Sequence, residues 1–319
     1  MTGTPLTDSR EQFFAAHPRL DDGVDLSFSF GSVRLRNPVM PASGCFGPEL
    51  GRLIPCEEIG ASVTKTVFAT PRGGNPAHRI TEIRAGMVNS VGIPSRGPAG
   101  YLRHLHPEYA ALGTPTIVSV GGHRPQEYAP VVAALAAAGA AYELNVSCPN
   151  LDRDGLDIGS DPAAIVEVVT SVRAETGKPL IVKLPPMVAS IAECARAAEA
   201  AGADAICVAN SVPVLPIEPR TQVPALGNII GGLSGPTIRP IILRLVWLAS
   251  RAVGIPVIAC GGIETAEHVL QYLSVGAAAV QVGTANFARP FAMVEIVREL
   301  HARCLSAGVT RLDDLVARI

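Results

Sequence analysis

Eight short apolar runs, most of them rich in β-branched residues, recur along the chain, and stretches with helical spacing separate most of them; nothing else in the sequence constrains the fold as much. The runs are Pro38–Pro41, Ser62–Thr66, Thr116–Val120, Tyr142–Val146, Leu180–Leu184, Ala205–Asn210, Val257–Cys260 and Ala279–Val282. The clearest helical segments are Gln126–Ala138, Pro162–Thr176, Ser190–Ala201, Pro236–Val253, Thr265–Val275 and Pro290–Ala307. Asp161 before Pro162, and Ser234 ahead of Pro236, set an oxygen acceptor before a helix-starting proline. Gly139, Gly177, Gly202, Gly254 and Gly276 stand where helices stop. Parallel neighbours need a crossover, so this alternation predicts an α/β fold with a parallel sheet. Eight strands favour its closure into a (β/α)8 TIM barrel. The alternative is an open doubly wound sheet, but the chain has no G-x-G-x-x-G. The barrel is expected over residues 24–319, behind an N-terminal extension at residues 1–23. Phe68–Arg103 and Val212–Ile229 show no clear elements and are expected as loops over the mouth.

Composition narrows the function classes. Of the 319 residues, 48% are apolar and 17% charged, which suits a sizeable core. Net charge is −2, so there is no basic field to hold a nucleic acid. The cysteines, Cys45, Cys56, Cys148, Cys194, Cys207, Cys260 and Cys304, are odd in number and include no C-x-x-C. They predict neither a disulfide framework nor a zinc or iron–sulfur ligand set, and no metal is expected. Reduced thiols fit a cytoplasmic protein. Asp8, Arg10, Glu11, Arg19, Asp21 and Asp22 leave the N-terminus without the apolar centre of a signal peptide. The longest apolar stretch, Ala129–Tyr142, is too short to span a bilayer, so no membrane association is expected.

In a barrel, chemistry gathers where strands end and loops begin. Strand seven runs into Gly261 and Gly262, and strand eight into Gly283 and Thr284. Such glycines let backbone N–H groups approach a phosphate, although they also serve simply to turn a chain. A third cluster, Gly231-Gly232-Leu233-Ser234-Gly235, is placed to complete that cradle. Strand four ends in Asn145-Val146-Ser147-Cys148-Pro149-Asn150. A lone cysteine is usually a small buried hydrophobe; a thiol between two carboxamides also suits ligand recognition with a base or nucleophile. Lys65 and Lys183 lie in apolar strands, where an ammonium needs a partner unless it snorkels to the surface. Asn210 and Ser211 end strand six. Together these groups fit a small planar anionic heterocycle, without naming a cofactor.

The chain resembles the class 1 dihydroorotate dehydrogenases, nearest the 1B subtype. The resemblance is carried by Asn37-Pro-Val-Met-Pro-Ala-Ser-Gly44, Thr64-Lys65-Thr66, Ala85-Gly-Met-Val-Asn89 with Gly92, and Asn145-Val-Ser-Cys-Pro-Asn150. Val182-Lys183-Leu184, Asn210-Ser211, Gly231-Gly-Leu-Ser-Gly-Pro236 and Gly283-Thr-Ala-Asn286 extend it. It implies FMN, with the phosphate on Gly261, Gly262, Gly283 and Thr284. Ala42, Ser43, Lys65, Asn145 and Lys183 would line the flavin, with Gly235 nearby. Lys65, Asn89, Asn145, Asn150, Asn210 and Ser211, with backbone at Val91, Gly92 and Ile93, would hold dihydroorotate or orotate. Cys148 would remove the C5 proton of (S)-dihydroorotate while hydride leaves C6 for the flavin. This is a step of de novo pyrimidine (UMP) biosynthesis, with activity rising toward alkaline pH. Class 2 enzymes carry Ser at the position of Cys148. The polar stretch Leu151–Ile158 is expected to act as a lid.

Subtype 1B also implies a partner subunit with FAD and a [2Fe–2S] cluster, and assembly as a homodimer or heterotetramer. This chain lacks cluster ligands and a dinucleotide fingerprint, so any relay to NAD needs that partner. Ser95, where the family usually has Asn, and Val212–Pro216 depart from the pattern and are expected near the far edge of the substrate. The alternative is an FMN-dependent dehydrogenase of another dihydropyrimidine; its usual cysteine motif has His where this chain has Asn150. A tRNA dihydrouridine synthase would need a basic surface, and a non-catalytic flavin-binding subunit would not need Lys65, Cys148 and the carboxamides together.

Overall fold

A computed structural model describes residue 20, residues 23–147 and residues 158–319. Nearly all of the N-terminal extension, together with Cys148, Asn150 and all of the expected lid except Ile158, lies outside the described residues. Ile158 itself is buried.

Strands are numbered in chain order among the described residues. β1 (Phe28–Phe30) and β2 (Val33–Leu35) pair as an antiparallel hairpin. The barrel strands are β3 (Val39–Pro41), β4 (Ser62–Val63), β7 (Thr116–Val120), β8 (Ala141–Asn145), β9 (Leu180–Leu184), β10 (Ala205–Val208), β13 (Val257–Cys260) and β14 (Ala279–Val282). They form one parallel sheet in the order β3-β14-β13-β10-β9-β8-β7-β4. Its two ends meet where Gly60 N donates to Val39 O at 2.8 Å. A side chain at Gly60 would lie 2.2 Å from Asn37 O, so only glycine lets the ends approach. The eight strands fall on the eight predicted runs, and the fold is the expected TIM barrel.

Strands with helices outside and side chains inside are buried on both faces, which explains their near-continuous apolar runs. Met40, Ile117, Ile181, Ile258 and Ala279 fill the barrel interior. A larger apolar layer joins the barrel to its helices. The helix Pro162–Glu175 opens on Asp161, whose carboxylate accepts from Ala163 N at 2.9 Å. Ser190 caps Ile191–Ala200, and Thr265 caps Ala266–Ser274. Two predicted helices begin as 3₁₀ turns, Pro125–Glu127 before Tyr128–Ala134 and Pro236–Ile238 before Arg239–Ser250. No helix of the described residues is long and apolar enough to cross a membrane.

The two stretches expected as loops also carry short regular elements. β5 (Ile80–Ile83), β6 (Gly86–Asn89), β11 (Val212–Val214) and β12 (Gly231–Ser234) form an antiparallel sheet in the order β11-β12-β6-β5. The helix Gly97–His104 follows in the first stretch. Strands of three or four residues carry too little alternation to be read locally. Pairing of Asn89 with Gly232 holds this sheet together across the sequence.

Candidate active site

The strand ends surround a cavity enclosing about 1010 Å³ of space between atoms, part of it open to solvent. Ala42, Ser43, Lys65, Asn89, Val91, Ile93, Asn145, Lys183, Asn210, Ser211, Gly235, Gly261, Gly262, Gly283 and Thr284 all line it. Gly92 does not; it packs against Asn75, where an added side chain would lie 2.4 Å from Asn75 N. Cys148 and Asn150 lie outside the described residues.

One wall is glycine backbone. Gly262 has φ 67°, and a Cβ there would lie 2.8 Å from Arg239 Cβ and 3.0 Å from Gly235 O. A Cβ at Gly261 would strike Ile242 at 2.7 Å. The turn is fixed from behind: Tyr272 OH donates to Gly261 O at 2.6 Å, and Arg239 Nη1 to Gly262 O at 3.2 Å. Thr284 Oγ1 donates to Ser234 Oγ at 2.8 Å, joining the loop after β14 to the end of β12. Packed glycine backbone beside two hydroxyls suits a phosphate.

The opposite wall carries amides and hydroxyls in one chain of hydrogen bonds. Asn210 Nδ2 donates to Ser147 Oγ at 2.6 Å, and Ser147 Oγ to Asn145 Oδ1 at 2.6 Å. Asn145 Nδ2 reaches Thr66 Oγ1 at 3.3 Å, which also meets Ser43 Oγ. Ser211 N donates to Asn210 Oδ1 at 2.8 Å, and Asn89 Nδ2 to Gly232 O at 3.3 Å. Interlocking of this kind fixes which face each carboxamide turns toward a ligand.

Two cations reach the cavity. Burial pulls Lys65 below the ordinary lysine range, with a smaller opposing pull from Cys45. Lys183 lies in the barrel core and donates to Gln281 Oε1 at 2.7 Å. Burial lowers its affinity for a proton, but Cys260, Glu143, Cys207 and Cys45 draw it the other way and the net direction is up. Burial pushes the Cys45 thiol up to about 11. Cys260 is held below the usual thiol range, chiefly by a hydrogen bond from Cys207, with burial opposing and Lys183 assisting.

Sequence reasoning missed several lining residues. Cys45, Met87, Cys260 and Phe287 are among them. Cys45 and Cys260 sit beside segments already singled out, and their position at strand ends was the available signal. Ser95 and Val212–Pro216, expected near a substrate, do not line the cavity. Ser95 Oγ instead accepts from Phe68 N at 3.1 Å and Gly97 N at 3.2 Å, tying a loop. Val212–Val214 is committed to pairing with β12.

Comparison with known proteins decides the family. A model of the dihydroorotate dehydrogenase family matches residues 25–304. The chain belongs to the dihydroorotate dehydrogenase family. It is 42% identical over 298 residues to the dihydroorotate dehydrogenase B (NAD(+)) catalytic subunit of Trichlorobacter lovleyi, covering 92% of this chain and 98% of that one. The protein of the same name from Pelobacter propionicus is 42% identical over 299 residues, and that of Geobacter sulfurreducens 41% over 299, with the same coverage. Family, barrel and oxidoreductase class thus agree with the sequence reading, and the match favours this family over dehydrogenases of other dihydropyrimidines.

Proposed function

We propose that the chain oxidises (S)-dihydroorotate to orotate in de novo pyrimidine biosynthesis, with FMN in the cavity and Cys148 as base. The observation that carries this reading is the meeting, in one cavity of a chain of this family, of a glycine cradle, two lysines and linked carboxamides. The donor set fits FMN: N–H groups of the Gly261–Gly262 and Gly283–Thr284 turns for the phosphate, and Lys183 for the electron-rich ring. FMN, when bound, supplies the acceptor for the hydride.

The chain's own groups do the remainder. Lys65 offers a cation to the substrate carboxylate, and Asn89, Asn145 and Asn210 orient the ring through their amides. The Ser147 hydroxyl holds two of those amides in register. Cys148 follows directly on that network, and as thiolate it takes the C5 proton. The relatives are named as catalytic subunits, which supports a partner. We assign that partner FAD and a [2Fe–2S] cluster, relaying electrons to NAD in the cytoplasm, within a heterotetramer if it is present and a homodimer if it is not.

The test is to purify the chain alone, record its visible spectrum and add dihydroorotate without oxygen. A flavin spectrum that bleaches supports cofactor, substrate and half-reaction together. A flavin that does not bleach overturns the substrate, and folded protein without flavin overturns the cofactor.

A further inference from the structure

Among the described residues, the barrel core holds a charged group that the proposed chemistry does not use. Glu143, on β8, is fully buried, and its neighbours on that strand are apolar. Its Oε2 accepts from Gln281 Nε2 at 2.5 Å. Gln281, on β14 and also fully buried, turns its Oε1 to Lys183 Nζ. Glu143 Oε1 lies 3.8 Å from Lys183 Nζ and has no hydrogen-bond partner among the described residues. The three side chains therefore form one line from the core to the cavity floor. β14 is not a neighbour of β8 or β9 in the sheet, so this line crosses the barrel interior.

Stability does not account for such an arrangement. A buried ion pair recovers its desolvation cost poorly, and apolar residues of equal volume serve a core at least as well. What the line does is constrain Lys183. A buried lysine left alone gives up its proton and its direction. Here a carboxylate supplies counter-charge, and a bridging amide, itself oriented by that carboxylate, fixes the ammonium. We infer that Glu143, acting through Gln281, is a positioning residue that keeps Lys183 protonated and fixed at the cavity floor. The inference rests on the FMN reading above. Other titratable groups around Lys183 are the thiols of Cys207, Cys260 and Cys45; Cys207 Sγ also approaches Gln281 Oε1, at 3.4 Å.

The experiment is the midpoint potential of bound FMN against pH, between about pH 6 and about pH 9, short of the ordinary lysine range. It is run on the wild type and on Glu143→Gln, each also carrying Cys260→Ser so that this thiol contributes no break. In the wild-type background Lys183 stays charged throughout, and its slope, with any break from Lys65 or Cys148, is the reference for the variant. In Glu143→Gln, burial leaves Lys183 neutral until reduction draws a proton onto it. One extra proton per two electrons is one tenfold change per pH unit, which steepens the slope by about 30 mV per pH unit. A purely structural role lowers the melting temperature and leaves the slope alone. FMN-loaded Glu143→Gln with the wild-type slope overturns the inference, even if activity falls. If Glu143→Gln fails to hold FMN, Glu143→Leu decides in its place: a slope steeper than that of the Cys260→Ser protein supports the inference and an equal slope overturns it. Wild-type protein without FMN removes the flavin reading and this inference together.

Discussion

Lys65 makes the sharpest demand on solution behaviour. Among the described residues its ammonium makes no hydrogen bond, and burial holds its pKa below the ordinary lysine value. A cation with a lowered pKa is fully charged at acid pH and loses its charge, as pH rises, before an ordinary lysine does. Binding of an anionic substrate should therefore weaken on the alkaline side, beginning below that ordinary value. The Cys148 thiolate forms in the opposite sense, near ~8.5 unless its site shifts it. The plot of kcat/KM against pH is expected to rise and then fall, and Lys65→Met should remove the falling limb. Loss of a charge-assisted hydrogen bond costs about 1.5–3 kcal/mol, so Lys65→Met should raise KM for dihydroorotate on the order of 10- to 100-fold. Cys148→Ser should lower kcat by about 10²- to 10⁴-fold while FMN and orotate still bind, as stopped-flow reduction and orotate titration would report. Lys65, Asn145, Lys183, Asn210, Ser211 and the glycine turns were legible from strand ends, whereas Ala42, Ser43, Asn89, Val91 and Ile93 came only through the family resemblance. Glu143 was not legible, because its link to Lys183 runs through Gln281 across the barrel, and no local spacing encodes that.

At the scale of elements, turns and caps separate cofactor retention from stability. Gly262 takes a left-handed φ of 67° against Arg239, so Gly262→Ala meets both strain and a steric block. The expected cost is about 1–3 kcal/mol, together with reduced flavin content after gel filtration. Ser190 caps a helix by accepting from Glu193 N at 3.3 Å. Ser190→Ala should cost about 1 kcal/mol in urea unfolding and leave flavin content unchanged. Equal loss of flavin in both proteins would show that retention follows global stability, not the turn. These helices were readable from caps and apolar spacing, both local properties. The sheet of β5, β6, β11 and β12 was not, because β12 pairs with both β6 and β11 and each strand lacks a pattern without the others. Ile80 is 53% exposed within a strand, which is why that segment resembles a loop.

The whole barrel depends on one seam that no segment reveals by itself. β4 has two residues, and its segment is tied on to β7 by Thr64 N to Ile117 O and Val67 N to Ser119 O, while its other side meets β3 through fewer bonds. At the junction with β3, Asn37 Nδ2 donates to Glu58 O at 2.7 Å, beside the Gly60–Val39 bond. The Glu58 carboxylate takes both branches of Arg298, Nε at 3.0 Å and Nη2 at 2.7 Å, from the helix Ala292–Ala307. The last long helix therefore clasps the gap between the first two barrel strands, joining residues 240 apart in sequence. Both side chains are nearly buried, at 12% and 9% exposure, so this pair is largely shielded from water. Glu58→Ala removes a charge-assisted pair and should destabilise the protein by about 1.5–3 kcal/mol, while the double replacement by methionine should recover most of that loss. Glu58 precedes β4 and lies at the end of the barrel away from the cavity, so the flavin spectrum and substrate half-reaction should persist below the urea transition. A loss under about 1 kcal/mol for Glu58→Ala would place the closure in the Gly60 and Asn37 contacts instead, because exposed pairs contribute no more than that.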